Sequence, residues 1–345
     1  MNRSGFYSTD ELQQSLDRFP RVQLANLPTP LEKCHRLSKY LSKNTNEPTI
    51  YIKRDDLTES SMGGGNKLRH MEFRLGDALA KNCDIYLYTD YSNSGRVAAI
   101  GCAKAGMPYV QVVSSERLPN VRSNLLLSSI LGAKLHYVNS GTNPKEEAFK
   151  ETNIIEQELI ETGHKPYRIQ AMPWYHQSAV ISYLQAAIEL DSQFKDLGIM
   201  NPHIFLVTGH SHVGLQLASK LLGLRWEITG IAVGQSFESP ALPFENWSDQ
   251  VSNLIGLPVA LKLTEMTVNF DYVEPGYHHP SNKSLNAVRV MGNAEGIFLD
   301  PMYTGKAMAA LIDYAISDSV KPDQTLVFLH TGGHPMLFDI ESIGP

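Results

Sequence analysis

The chain predicts an α/β fold with open, mostly parallel sheets flanked by helices, on three observations. Short apolar runs of strand length alternate with longer amphipathic segments along most of the 345 residues, as in chains that repeat a strand and a crossover helix. Small and polar residues gather just past several of these runs, where ligands sit in sheets of that kind. The length suits two domains or one large α/β unit, either able to bury a substantial core.

Residues 1–48 read as an arm, with Phe19-Pro20-Arg21 and Leu27-Pro28-Thr29-Pro30-Leu31 as rigid punctuation before the polar stretch 42–48. The alternation then begins. The β-branched and aromatic run 49–53 reads as a strand, and the amphipathic segment 68–81 as a helix. A strand at 84–89, a helix at 94–106 and a strand at 109–113 follow. An apolar stripe marks a helix over 120–131, closed at Gly132, before a strand at 134–138. The polar helix at 144–162 carries Glu146, Glu147, Glu151 and Glu156 as a solvated face. Beyond Trp174 come a helix at 176–195, a strand at 203–207, a helix from 213 and a strand at 227–233. Helices near 285–295 and 303–317 precede a last strand at 325–330.

Composition narrows the function classes. With 42% hydrophobic and 19% charged residues the chain has a globular make-up. A net charge of −6 argues against a nucleic-acid surface. No segment reaches the roughly 18 apolar residues of a membrane span, and the first residues lack the apolar run of a signal peptide. Cys34, Cys83 and Cys102 are odd in number and share no CxxC spacing, which points to a reducing compartment, and so to the cytoplasm.

Chemistry concentrates in the glycine-rich stretch Ser61-Met62-Gly63-Gly64-Gly65-Asn66-Lys67-Leu68-Arg69. Glycines let the backbone take positive φ and approach a ligand closely, and Lys67 opens a helix whose free N–H groups favour anions. The same stretch is compatible with a helix-capping loop and a surface lysine. A second stretch, Thr208-Gly209-His210-Ser211-His212-Val213-Gly214, lies between a strand and a helix and could cradle one phosphate; an ordinary strand-to-helix turn would look alike. Neither GxGxxG nor GxxxxGK[ST] is present, so a dinucleotide or a triphosphate is not supported. One phosphate plus a lysine amine suggests pyridoxal 5′-phosphate, whose aldehyde forms a Schiff base with lysine. His210 and His212 could face one metal ion, but a third ligand at useful spacing is lacking, so no metal is expected.

Several rare strings occur in one order: Phe19-Pro20-Arg21, Pro28-Thr29-Pro30-Leu31, Ile52-Lys53-Arg54-Asp55-Asp56, Gly64-Gly65-Asn66-Lys67-Leu68-Arg69, Ser92-Asn93 and Glu274-Pro275-Gly276-Tyr277. Leu299-Asp300-Pro301-Met302-Tyr303-Thr304-Gly305-Lys306-Ala307-Met308 and His330-Thr331-Gly332-Gly333 complete the set. In these the chain resembles, over nearly its whole length, the D-cysteine desulfhydrase and 1-aminocyclopropane-1-carboxylate deaminase family. That family belongs to the fold-type II pyridoxal-phosphate enzymes related to the tryptophan synthase β subunit.

The resemblance implies two sheets with the cofactor in the cleft between a large domain (1–62 and 176–345) and a small one (63–175). It implies that Lys67 is the Schiff-base lysine and the base that moves the α-proton. Asn93 would hydrogen-bond the cofactor's phenolic oxygen, and Val207, Thr208, Gly209, His210 and Ser211 would surround its phosphate. Ser92 would receive the substrate carboxylate, and Tyr277 and Tyr303 would flank the substrate, although a tyrosine alone is more often a packing residue. Thr304 stands where the deaminases carry a carboxylate able to keep the pyridine nitrogen protonated. That favours α,β-elimination from D-cysteine or another β-substituted alanine, a small amino-acid substrate, giving pyruvate and ammonia. Cyclopropane ring opening, β-replacement and a binding protein without turnover are the other readings. A homodimer is implied by resemblance alone.

The departures cluster at the expected site. His70 replaces a second lysine close to the phosphate, and Thr89-Asp90-Tyr91 replaces a longer Gly-Gly-x-Gln string. His210, His278 and His334 stand where the family usually has small residues. A phosphate contact from His70 would depend on pH, and Asp90 would repel an anionic substrate unless paired or protonated.

Overall fold

The computed structural model describes residues 5–42, 47–59, 62, 64–114, 121–138, 143–234, 243–317 and 319–340. Ser61 and Gly63 of the glycine-rich stretch, residues 43–46 of the polar stretch and residue 120 at the start of the expected fifth helix lie outside them.

The first half runs α1 (Thr9–Leu16), β1 (Leu31–Lys33), α2 (His35–Tyr40), β2 (Thr49–Lys53), α3 (Asn66–Ala80), β3 (Ile85–Thr89), α4 (Asn93–Ala105), β4 (Tyr109–Ser114), α5 (Ser123–Ile130), β5 (Lys134–Val138) and α6 (Pro144–Glu161). The second runs β6 (Pro166–Tyr167), α7 (Trp174–Asp196), β7 (Pro202–Val207), α8 (His210–Leu222), β8 (Glu227–Ile231), α9 (Phe244–Leu254), β9 (Thr267–Asn269), α10 (Asn282–Glu295), α11 (Thr304–Ala315) and β10 (Thr325–Leu329). The strands form a six-stranded sheet, ordered β1-β2-β10-β7-β8-β9, and a four-stranded sheet, ordered β5-β4-β3-β6. Every pairing is parallel except that of β1 with β2 at one edge. The fold class read from the strand and helix alternation is therefore the one observed.

Period-2 alternation along the central strands separates two cores. Ile204, Leu206, Val327 and Leu329 face one core, which is completed by α1, α7, α8 and α9. Phe205, Leu326 and Phe328 face the other, with Leu37, Val288 and Met308 from α2, α10 and α11. The smaller sheet repeats the arrangement, with Tyr86 and Tyr88 against α3 and α4, and Ile85, Leu87 and Val112 against α6. Helices thus cover both faces of both sheets, which is what parallel strands require.

The N-terminal segment is more than an arm. Ser8 Oγ accepts the Glu11 N–H at 3.1 Å while the Glu11 carboxylate accepts the Ser8 N–H at 2.7 Å, a capping box that starts α1 and seats Leu12 and Leu16 in the first core. The short elements β1, α2, β6 and β9 are too brief to show a period, whereas α9 buries Phe244, Ser248, Val251 and Ser252 on one face and does carry a helical period. The helix expected from 213 begins at His210. Gly209, at φ 139°, lets the chain pass straight from strand to helix, and this brings His210 and Ser211 into the first helical turn.

Candidate active site

The carboxyl ends of β3, β7, β8 and β10 and the starts of α3 and α4 meet around one cavity of about 350 Å³. Its lining includes Lys67, Ser92, Asn93, Val207, Thr208, Gly209, His210, Ser211, Tyr277 and Tyr303. Ten of the residues expected from the sequence are thus brought together, from strand ends and loops up to 236 positions apart (303 − 67). Thr304 is not among them. Its hydroxyl donates to Asp300 Oδ2 at 2.6 Å and accepts the Asp300 N–H at 2.9 Å, and Asp300 is among the cavity's lining residues. Burial raises the Asp300 pKa, against the bonds from Thr304, Tyr303 and Met302 that favour the anion.

Lys67 is held in place from behind. Asp55 accepts from Arg69 Nε at 3.0 Å, Arg69 Nη2 at 2.7 Å and Tyr183 Oη at 2.6 Å. Arg69 also reaches Glu189, which pairs with Lys53. Burial alone would raise the Asp55 pKa, but Arg69, Lys53 and Tyr183 outweigh it and hold the carboxyl below its ordinary value. This network fixes the first turn of α3 to β2 and α7. The glycines before it are a packing requirement as well. Gly65, at φ 134°, bridges to Gly332, and a Cβ on Gly65 would lie 2.8 Å from the Thr331 carbonyl oxygen.

The Lys67 amine has no hydrogen-bond or ion-pair partner among the described residues, and desolvation together with Arg74 lowers its pKa to about 8. Across the cavity, α8 starts without a side-chain cap, so its first-turn N–H groups remain available to an anion. A Cβ at Gly209 would meet nothing within 4 Å, which leaves open space over that turn. Asn66 Nδ2 donates to Ser211 Oγ at 3.0 Å, and the buried Oδ1 of Asn93 has no partner among the described residues. A lone amine and an uncapped helix start around one cavity fit an aldehyde that carries a phosphate.

A histidine cluster stands beside the α8 turn. His176 Nδ1 and His210 Nε2 are 2.7 Å apart, and Trp247 stacks on both rings at 4.8 and 4.1 Å between centroids. His70 lies behind His210, its ring centroid 6.4 Å away. Burial, then the nearby Lys67, pushes the pKa values of His70 and His210 well below 6.5, so both rings are neutral at physiological pH. The pH-dependent phosphate contact expected of His70 is thereby moved out of the neutral range.

On the opposite side Tyr303 Oη donates to Tyr277 Oη at 2.7 Å, and burial holds the Tyr303 phenol protonated. Asp90 also lines the cavity, at φ 122°, with its carboxylate accepting the Tyr91 N–H at 2.6 Å. A smaller recess of about 210 Å³ opens beyond Ser92, Asn93 and Tyr303 toward Tyr91, His278 and Arg122. Sequence reasoning did not single out Tyr175, Trp247 or Asp300 as lining residues. Asp300 could have been found, since it lies within one of the rare strings. Tyr175 and Trp247 come from α7 and α9 and carry no local signal.

Comparison with known proteins agrees with this geometry. The family model described as pyridoxal-phosphate dependent enzyme matches residues 22–332. The chain is 31% identical over 336 residues to a D-cysteine desulfhydrase of Serratia proteamaculans, covering 95% of this chain and 98% of that protein. It is 31% identical over 330 residues to a putative 1-aminocyclopropane-1-carboxylate deaminase of Pyrococcus abyssi, covering 94% of each. The crystal structure of an ACC deaminase homologue superposes with a TM-score of 0.79 at 29% identity, over 93% of this chain and 94% of that one. With its lysine, its uncapped helix start and these relatives, the chain belongs to the pyridoxal-phosphate dependent enzymes, in the family of the D-cysteine desulfhydrases and 1-aminocyclopropane-1-carboxylate deaminases.

Proposed function

We propose that the protein is a lyase that carries out α,β-elimination on D-cysteine or a related β-substituted alanine, releasing pyruvate, ammonia and the leaving group, which is sulfide for cysteine. The observation that carries this reading is the unpartnered Lys67 amine facing an uncapped helix start across one cavity. Pyridoxal 5′-phosphate, when bound, supplies an electron sink for the bond broken at the substrate α-carbon.

The chain's own residues divide the remaining work. Thr208, Gly209, His210 and Ser211, with Val207 beside them, would hold the phosphate at the start of α8, and Asn93 would bind the cofactor's phenolic oxygen. Near neutral pH a lysine with a pKa of about 8 is neutral in part, as an amine must be to bond an aldehyde and then take the α-proton. Ser92 is the N-cap of α4 but makes no side-chain capping bond, so its hydroxyl and the first N–H groups of that helix are available to the substrate carboxylate. Tyr277 receives the Tyr303 proton and keeps its own, which it can direct at the leaving group. Thr304 acts through Asp300, whose carboxyl pKa burial raises.

Ring opening of a cyclopropane amino acid is the second reading, favoured by the Pyrococcus relative and the ACC deaminase homologue. In both readings 63–175 forms the small domain, which is supported by a four-stranded sheet drawn wholly from 85–167. Unpaired Cys34, Cys83 and Cys102 support a cytoplasmic enzyme, and family resemblance supports a homodimer. No helix among the described residues is long and apolar enough to cross a membrane.

The test offers the purified holoenzyme D-cysteine, L-cysteine, cysteate and the cyclopropane acid in turn, with pyruvate, 2-ketobutyrate and sulfide measured. D-Cysteine should give pyruvate and sulfide, and Lys67→Ala should abolish both turnover and the visible absorption of the bound cofactor. 2-Ketobutyrate from the cyclopropane acid would select the second reading. No keto acid from any of the four would overturn both.

A further inference from the structure

Directly behind the Gly65–Gly332 bridge lies a group of metal-ligating atoms that the reaction does not use. Asp56, His330 and His334 each present one ligand atom, all within 4.8 Å of one another. His330 Nε2 and His334 Nε2 are 3.3 Å apart, and Asp56 Oδ2 lies 3.9 and 3.8 Å from them. The Phe298 carbonyl oxygen completes the group, 2.8 Å from His330 Nε2 and 3.0 Å from His334 Nε2. Four ligands at the bond lengths of zinc to nitrogen and oxygen stand about 3.3 Å from one another in a tetrahedron. The five measured separations straddle that value.

We propose that Asp56, His330, His334 and the Phe298 carbonyl form a binding site for a divalent transition-metal ion of the zinc type. The chemistry of the donors suits it, since two imidazoles, one carboxylate and one carbonyl are ligands such an ion takes. The surroundings are also those of a metal centre. Arg54 grips both oxygens of Asp56 at 2.9 and 2.8 Å and is itself held by Glu32 at 2.8 Å. The carboxylate is therefore oriented by a second shell, and Asp56, Glu32 and Arg54 together leave one negative charge for a cation. His330 is fully buried, while the His334 side chain is 23% exposed and gives an ion its way in. An ion must displace the bonds of both Nε2 atoms to the Phe298 carbonyl and the bond from the Gly332 N–H to His330 Nδ1, at 3.2 Å, because Nδ1 takes the ring proton when Nε2 binds metal. An ion here would clamp the 330–334 turn to the end of β2, and with it the two glycine loops that close around Lys67.

Tag-free holoenzyme, stripped of metal and dialysed against micromolar zinc, should take up one zinc per chain and melt at a higher temperature than without it. His334→Ala, which touches no residue assigned to the reaction, should lose both effects. The loss in affinity should exceed the roughly 10–100-fold that removal of an outer-shell partner costs. His334→Gln, which keeps a donor for the Phe298 carbonyl, replaces the alanine variant should that fail to fold. Cobalt added to the wild type should give the intense visible bands of a four-coordinate site. Equal zinc uptake by wild type and variant, no uptake by either, or the weak spectrum of six-coordinate cobalt would each overturn the proposal.

Discussion

Arg69 and His70 are neighbours on α3, and each is 1% exposed, yet they are treated in opposite ways. The Arg69 guanidinium donates to Asp55, Glu189 and Thr29. The Nε2 of His70 has no partner among the described residues, and its ring sits among Tyr183, His210 and the Lys67 amine. The paired cation faces away from the cavity and locks three elements together. The orphaned imidazole stands behind the cavity wall. A polar atom buried without a partner carries a cost that a paired one avoids, so the two neighbours should answer differently to the same perturbation.

Lowering the pH separates the two classes, and its effect should be the largest. His70 and His210 are held neutral well below 6.5, and burial carries His330 to about 4 and His212 to about 3. Unfolded, each of these histidines takes up its proton near pH 6.5. Between about pH 6.5 and 4 the unfolded chain therefore binds more protons than the folded one, and stability falls as the pH falls. Where the pH lies between its folded and unfolded values, each such histidine contributes at most about 1.4 kcal/mol per pH unit, and because His210 is itself one cause of the His70 shift their contributions do not simply add. Asp55 behaves otherwise. Its folded pKa is depressed, so its contribution stays intact until the pH drops below about 3.9, the unfolded value. Urea midpoints measured across this range should fall steeply from pH 6.5 to 4; a flat profile there would mean that the histidines are not held neutral.

Asp55→Ala attacks the paired side. It leaves the Arg69 guanidinium and the Tyr183 hydroxyl buried with one partner fewer each. Breaking a buried pair in this way costs about 3–5 kcal/mol, and the urea midpoint at pH 7 should drop accordingly. A loss below about 1 kcal/mol would place this network with surface ion pairs.

The paired side was also the more legible in the sequence. Asp55 and Arg69 fall within strings whose residues, spacing and order are distinctive, one just past the end of β2 and the other in the first turn of α3. The same holds for Lys67, Asn93 and the 208–211 turn, each just past a strand or at a helix start. Tyr175, His176 and Trp247 are not legible in the sequence, because they come from α7 and α9 and only tertiary packing brings them beside His210. Thr304 illustrates a further limit. It belongs to a shared string, but the direction of its hydroxyl, toward Asp300, is decided by the turn at 300–304. The segment before residue 48 was misread because a helix of two turns, such as α1, is announced by its cap and not by its period.

The smallest expected effect is the sharpest test of the comparison. His70→Leu removes an imidazole whose Nε2 makes no hydrogen bond among the described residues and puts an apolar side chain into a buried place. Because no partner is left unpaired, stability should change by no more than about 1 kcal/mol, against the several expected for Asp55→Ala. Cofactor retention should change instead, since His70 stands beside His210 and the start of α8. Urea denaturation of the cofactor-free variant measures the first quantity, and dialysis followed by visible absorption measures the second. A urea midpoint as low as that of Asp55→Ala would make His70 part of the scaffold and erase the distinction between the two neighbours.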